Sequence, residues 1–146
     1  MDTVKIENFK RDYPASDFPE YRTLDQEESE RIRQSLVLRL GVPRNASPLD
    51  LVKFVSNKCI VVPHADAEKE DFDLNAQLKS LGIQPNEEVL VNWYRYDRID
   101  GIMLTDLSRY FHEIWYPRAD DIDVFDESLD WILSVGYSGV VSLLKL

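Results

Sequence analysis

Cysteine is nearly missing from this chain. Cys59 stands alone, which excludes an intrachain disulfide framework and agrees with a reducing compartment. Histidine is almost as scarce, with only His64 and His112. Two histidines cannot build a His-rich zinc centre, and neither lies in an H-E-x-x-H spacing. The five glycines, at 41, 82, 101, 136 and 139, are scattered. No G-x-G-x-x-G or G-x-x-x-x-G-K-[ST] loop can therefore cradle a phosphate, and the G-x-S-x-G nucleophile turn is absent. Long apolar runs are missing too, and the opening MDTVKIENFKRDYP has no apolar signal core. A cytoplasmic location is the expectation. Positive charge is the last shortage: 17 Lys and Arg face 27 Asp and Glu, for a net charge of −10. Phosphate backbones and anionic bilayers repel such a surface, so neither nucleic acid nor membrane is an expected partner. A basic protein is attracted to it.

What is present is globular composition. The chain has 146 residues, 44% apolar and 30% charged, with three Trp, seven Tyr and six Phe. This is one domain, 1–146, able to bury roughly two-thirds of its unfolded surface. Residues 1–22, with Tyr13, Pro14, Phe18, Pro19 and Tyr21, read as an irregular N-terminal arm. Thr23 or Asp25 caps a helix in which Ile32, Leu36 and Leu40 recur every four residues, and Gly41 and Pro43 end it. Ser47-Pro48 opens a second helix, with Leu51, Val52 and Val55 as its buried stripe. Cys59 to Val62 is a short strand that buries the thiol. Asp71 or Asp73 caps a third helix that ends near Leu81. Glu88 to Tyr96 is a strand, Asp100-Gly101 a turn, and Ile102 to Leu104 its partner. Thr105 caps a fourth helix, whose stripe is Leu107, Tyr110, Phe111, Ile114 and Trp115. Ile122 to Phe125, Trp131 to Val135 and Val140 to Leu144 form a C-terminal β-meander. The expected fold class is α+β: a largely antiparallel sheet with about four helices packed mainly on one face.

The stretch YFHEIWYPRADDIDVFDESLDWIL, residues 110–133, concentrates the interest. Aromatics crowd its start, and Asp120, Asp121, Asp123, Asp126, Glu127 and Asp130 crowd its second half. His112 with Asp120 and Asp121 is one metal-ligand set to weigh. Asp120, Asp121 and Asp123 form another, but on a strand 121 and 123 share a face that 120 does not, and the Gly and spacing of a calcium loop are missing. An acidic rim is the preferred assignment, with no metal and no cofactor. His64-Ala65-Asp66 resembles a base with its orienting acid, yet no convincing nucleophile lies nearby, and Cys59 is expected to be buried. Arg95, Arg98, Arg109 and Arg118 are the notable basic residues; Arg95 and Arg98, which flank Tyr96, are expected to pair with the rim, the alternative being a small anion site. Trp93, Tyr94, Tyr96 and Tyr116 are the aromatics expected to anchor an interface beside it.

The segment from Asp97 to Gly139 resembles small bacterial proteins of the polymorphic-toxin immunity type. The resemblance rests on a helix ending Trp115-Tyr116-Pro117, the Asp120-Asp121 pair, a short strand, and a Trp131-bearing strand in a terminal hairpin. Tyr137 departs from it, standing where a His is expected. The resemblance implies a cytosolic inhibitor that covers a toxin domain, often a basic nuclease. The expected function is thus a non-catalytic immunity protein that binds a basic toxin domain through Asp120, Asp121, Asp123, Asp126, Glu127 and Asp130, with Trp93, Tyr94, Tyr96 and Tyr116 as anchors. The alternatives are a regulatory or scaffold module resembling the cell-wall-synthesis regulator type, and a small metal-dependent enzyme using His64 or His112.

Overall fold

Val89 and Val91 project to one side of their strand and Leu90 to the other, and all three are buried. A sheet built on such strands is covered on both faces. The computed structural model describes residues 1–146. Its elements run α1 (Thr3–Asp12), β1 (Tyr21–Thr23), α2 (Gln26–Leu40), α3 (Pro48–Lys58), β2 (Ile60–Asp66), α4 (Leu74–Ser80), β3 (Glu88–Asn92), β4 (Ile99–Met103), α5 (Leu104–Arg109), α6 (Phe111–Ile114), β5 (Ile122–Phe125), β6 (Trp131–Val135) and β7 (Val140–Lys145). The strands form one sheet in the order β1-β4-β3-β5-β6-β7-β2. Every pairing is antiparallel. The α+β class and the terminal meander β5-β6-β7 are as expected. No helix is long and apolar enough to cross a membrane.

The helix count and their placement need correction. There are six helices, and two separate apolar clusters sandwich the sheet. On one face Val89, Val91, Val124 and Leu133 meet Leu74 and Leu78 of α4, Leu107 of α5, and Phe111 and Ile114 of α6. On the other, Leu90, Phe125 and Ile132 meet Leu36, Val37 and Leu40 of α2 and Leu51 and Val55 of α3. Helices on one face alone would leave Leu90, Phe125 and Ile132 in water. Tyr110 ends α5 and caps α6, so the predicted fourth helix is two short ones.

Local chemistry explains most boundaries. Asp25 and Glu28 close a capping box on α2, and Gly41, at φ +67°, ends it in the left-handed conformation that glycine adopts without strain. Ser47 and Asp50 form the same box on α3. Residues 3–12, read as irregular, are helical: Asp2 accepts from the Val4 N–H, and Phe9 and Lys5 are buried beneath. The expected turn at Asp100-Gly101 lies instead inside β4. Gly101 fits tightly there: Glu88 and Arg22 side chains close over it, 3.1–3.2 Å from where a Cβ would sit, so a larger residue would have to push them aside. The chain reverses at residues 93–98, where Tyr94 and Tyr96 take φ of +84° and +58°.

Candidate functional site

The six acids of the rim do not share one surface. Asp120 lies beside the buried Lys5 ammonium and accepts from the Tyr116 N–H at 2.8 Å. Lys5 Nζ also sits 3.9 Å from the Tyr116 ring centroid and 5.2 Å from that of Trp93. Asp126 is buried, accepting from the Asn86 and Ser128 N–H groups and from Trp131 Nε1. Asp130 pairs with Arg39 at 2.7 Å, and Glu127 is exposed. These last three lie past the far end of β5 from Asp120 and Asp121. Among the aromatics, Tyr96 is buried and Trp93 half-buried, its indole donating to Asp100 at 2.8 Å. Of the ten residues expected at the interface, only Tyr94, Asp121, Glu127 and Asp130 are exposed. Arg95 and Arg98, expected to pair with the rim, make no ion pair, and neither do Arg109 and Arg118: Arg95 lies over Tyr94 and Arg109 over Tyr110, while the rim's cations are Lys5 and Arg39.

A different constellation is built across the sheet. Register aligns Asn92 of β3 with Asp123 of β5, Asp123 with Ser134 of β6, and Ser134 with Ser142 of β7. Directly opposed residues on antiparallel strands share a face. Four neighbouring strands thus contribute one polar residue each to a single row, on the face covered by α2 and α3. Asp123 is its centre. Its Oδ1 accepts from the Ser134 hydroxyl, and its Oδ2 accepts from the Tyr96 hydroxyl at 2.6 Å and the Asn92 amide at 3.3 Å. Asn92 Oδ1 in turn accepts from the Tyr96 N–H at 2.7 Å. Those bonds hold Tyr96 inside at a backbone conformation costing about 1–3 kcal/mol, and its neighbour Tyr94 is left outside.

Above the row lies a cavity of about 330 Å³. Val52 and Val55 of α3 form one wall, Val140 another, and Tyr94 and Asp121 stand at the mouth. Asp121 is held by the Tyr137 N–H at 2.8 Å. Cys59, expected to be buried and inert, caps the end of α3, lines this cavity half-buried, and contacts Ser134 Oγ at 3.6 Å. Burial pushes the Asp123 carboxyl above its ordinary range; the donors from Ser134, Tyr96 and Asn92 oppose that shift, and the charge of Asp121 adds to it. Burial, with the Asp123 charge, holds the Tyr96 phenol well above its own. Burial also pushes the Cys59 thiol up, against the Ser134 contact, which disfavours the nucleophilic thiolate.

The histidines stand apart from this constellation. His112 contacts the Ala67 carbonyl at 3.0 Å and not Asp120, while His64 is exposed on β2. No three His, Cys, Asp or Glu side chains converge as a metal-holding group. Sequence reasoning named Asp121, Asp123 and Tyr94 but missed Asn92, Ser134 and Ser142. Their signal was a lone uncharged polar residue in each of the strands EVLVN, WILSV and VVSLLK. The chain matches no protein-family model, no curated protein and no solved structure.

Proposed function

We propose that the protein is a non-catalytic binding protein that captures a basic partner domain at the mouth of this cavity. The observation that carries the proposal is an acid-floored hollow with no Lys, Arg or His in its lining, bordered by exposed Tyr94, Tyr137 and Val140. Exposed aromatic and aliphatic groups around a charged hollow make an interface anchor. The net charge of −10 adds long-range attraction. A bacterial toxin domain is the partner class that fits the resemblance of residues 97–139 to immunity-type proteins. Inhibition is then steric and electrostatic, with no bond made or broken. The contact surface is narrower than the sequence implies: Tyr94, Asp121 and the cavity, without Asp126 and Tyr96.

The test is co-production with a basic secreted toxin domain, sought first in the neighbouring reading frames. A complex is expected whose association rate falls steeply with salt. Tyr94→Ala with Asp121→Ala should weaken it at least tenfold, and Glu127→Ala should leave it unchanged. No complex, or one indifferent to the double variant, overturns the proposal.

One observation favours a second assignment, a scaffold module. β2 is an edge strand, and Ile60 and Val61 on it are 76% and 59% exposed. Such an edge can accept a partner strand. Binding there would be insensitive to salt and abolished by Val61→Lys.

A further inference from the structure

We propose that the cavity between α3 and β5–β7 is a subsite for one cationic head on an aliphatic stem, a guanidinium or ammonium seated against Asp123. The proposal rests on this being a binding face and does not require the partner to be a toxin.

Asp123 is the inward carboxylate that keeps an open position. Asp120 has Lys5, Asp100 has the Met1 amine, and on Asp126 two backbone N–H groups, the Ser128 hydroxyl and the Trp131 indole N–H fill both oxygens. Asp123 receives only a serine hydroxyl, a phenol and an amide. Neutral donors leave its charge uncompensated, and an unpaired buried charge is costly. A carboxylate offers about four lone-pair sites. Three are taken, two of them on Oδ2, so Oδ1 keeps room for one more donor. Asp121 at the mouth adds a second negative charge, and no Lys, Arg or His lines the hollow. The walls suit a stem: Val52, Val55 and Val140 are aliphatic and line a hollow of about 330 Å³, ample for a single side chain. A neutral alcohol would satisfy the open lone pair but would leave the charge uncancelled. A cation does both.

Binding is linked to protons. The titratable groups that face Asp123 are Cys59 from the end of α3, Tyr96 from the β3–β4 loop and Asp121 before β5. None supplies positive charge. A cation favours the ionised carboxylate, so affinity rises with pH until Asp123 has lost its proton.

The experiment titrates the isolated protein, followed by amide and side-chain NMR shifts. The probes are Nα-acetyl-arginine amide, agmatine and 1-pentanol. Shifts centred on Asp123, Ser134 and Ser142, with the cations bound at least tenfold more tightly than the alcohol, are expected. Arginine amide and agmatine binding alike identify a partner's side chain as the source. Agmatine alone binding identifies a free small amine. Ser142→Leu fills the hollow without touching the Asp123 bonds and should abolish binding. Asp123→Asn should erase the preference for cations, and Asp126→Asn, at a carboxylate that does not line the hollow, should not. Equal binding of 1-pentanol, or no cation binding, overturns the proposal. Probe binding without any protein complex refutes the partner assignment above and leaves the subsite standing; a complex without probe binding does the reverse.

Discussion

At the residue scale, Asp123 and Asp126 show how alike two carboxylates look in sequence and how differently they are held. Both lie in an acidic run that reads as surface, because charged residues are rarely interior without a partner. The partners are invisible locally: Asn86 precedes Asp126 by forty positions, and Asn92 precedes Asp123 by thirty-one. What was legible is that Asp123 faces the same way as Asp121 on a strand. Two predictions follow from the donors. Asp126→Ala strands the Asn86 N–H and the Trp131 indole N–H, each costing about 1–3 kcal/mol when left unpaired; a loss of about 3 kcal/mol in chemical denaturation is expected. For Asp123 the effect depends on pH. Ionising it costs more in the folded chain than in the unfolded one, because burial raises its folded pKa. Stability is therefore lost as pH rises from the ordinary carboxylate value of about 3.9 through the raised one. Asp123→Asn escapes that loss but mispairs the Tyr96, Ser134 and Asn92 donors. Its cost is expected to be largest at low pH, about 1–3 kcal/mol, and to shrink as pH climbs through this window. A cost that grows with pH would mean that Asp123 is better stabilised as the anion.

At the element scale, the capped helices were legible and α1 was not. Asp25, Ser47 and Asp73 each cap within their own segment, so three or four residues carry the whole signal. The helix α1 depends on distant groups. Lys5 meets Asp120 and the rings of Tyr116 and Trp93, and Phe9 packs edge-on against Phe18 and Tyr110 at 5.4 Å. A lysine looks like a solvated residue until that acid, on a distant loop, folds onto it. Phe9→Ala should cost about 3–5 kcal/mol. Lys5→Ala should cost less, about 2 kcal/mol, since Asp120 keeps its Tyr116 N–H and some exposure. Limited proteolysis distinguishes loosening of this element from global unfolding: both variants should be cleaved within residues 1–20 before the sheet is. Cleavage that begins elsewhere would mean α1 is not the element these contacts hold.

At the scale of the whole molecule, the sheet is shared by two cores that do not touch through it except by strand. The double-sided burial of β3 was visible as bulky residues at every position of Val89-Leu90-Val91, yet one-face helix packing was expected, because period alone does not say which helix covers which side. Consequences follow for cooperativity. Trp115 and Trp131 lie in the cluster with α4–α6, and Trp93 packs against it, so indole fluorescence reports that face alone. Leu51 of α3 is fully buried in the opposite cluster. Leu51→Ala creates a cavity there, at a cost of about 2–5 kcal/mol, and leaves every indole contact intact. If the sheet couples the two faces, the fluorescence midpoint and the far-UV circular dichroism midpoint must fall together and by the same amount. The strands leave little alternative: Leu90 cannot leave its cluster without moving Val89 and Val91, which are anchored in the other. A dichroism transition that shifts alone would show α2 and α3 melting from a sheet still held by its other face. It would also detach the wall of the cavity over Asp123 while the indoles remained packed.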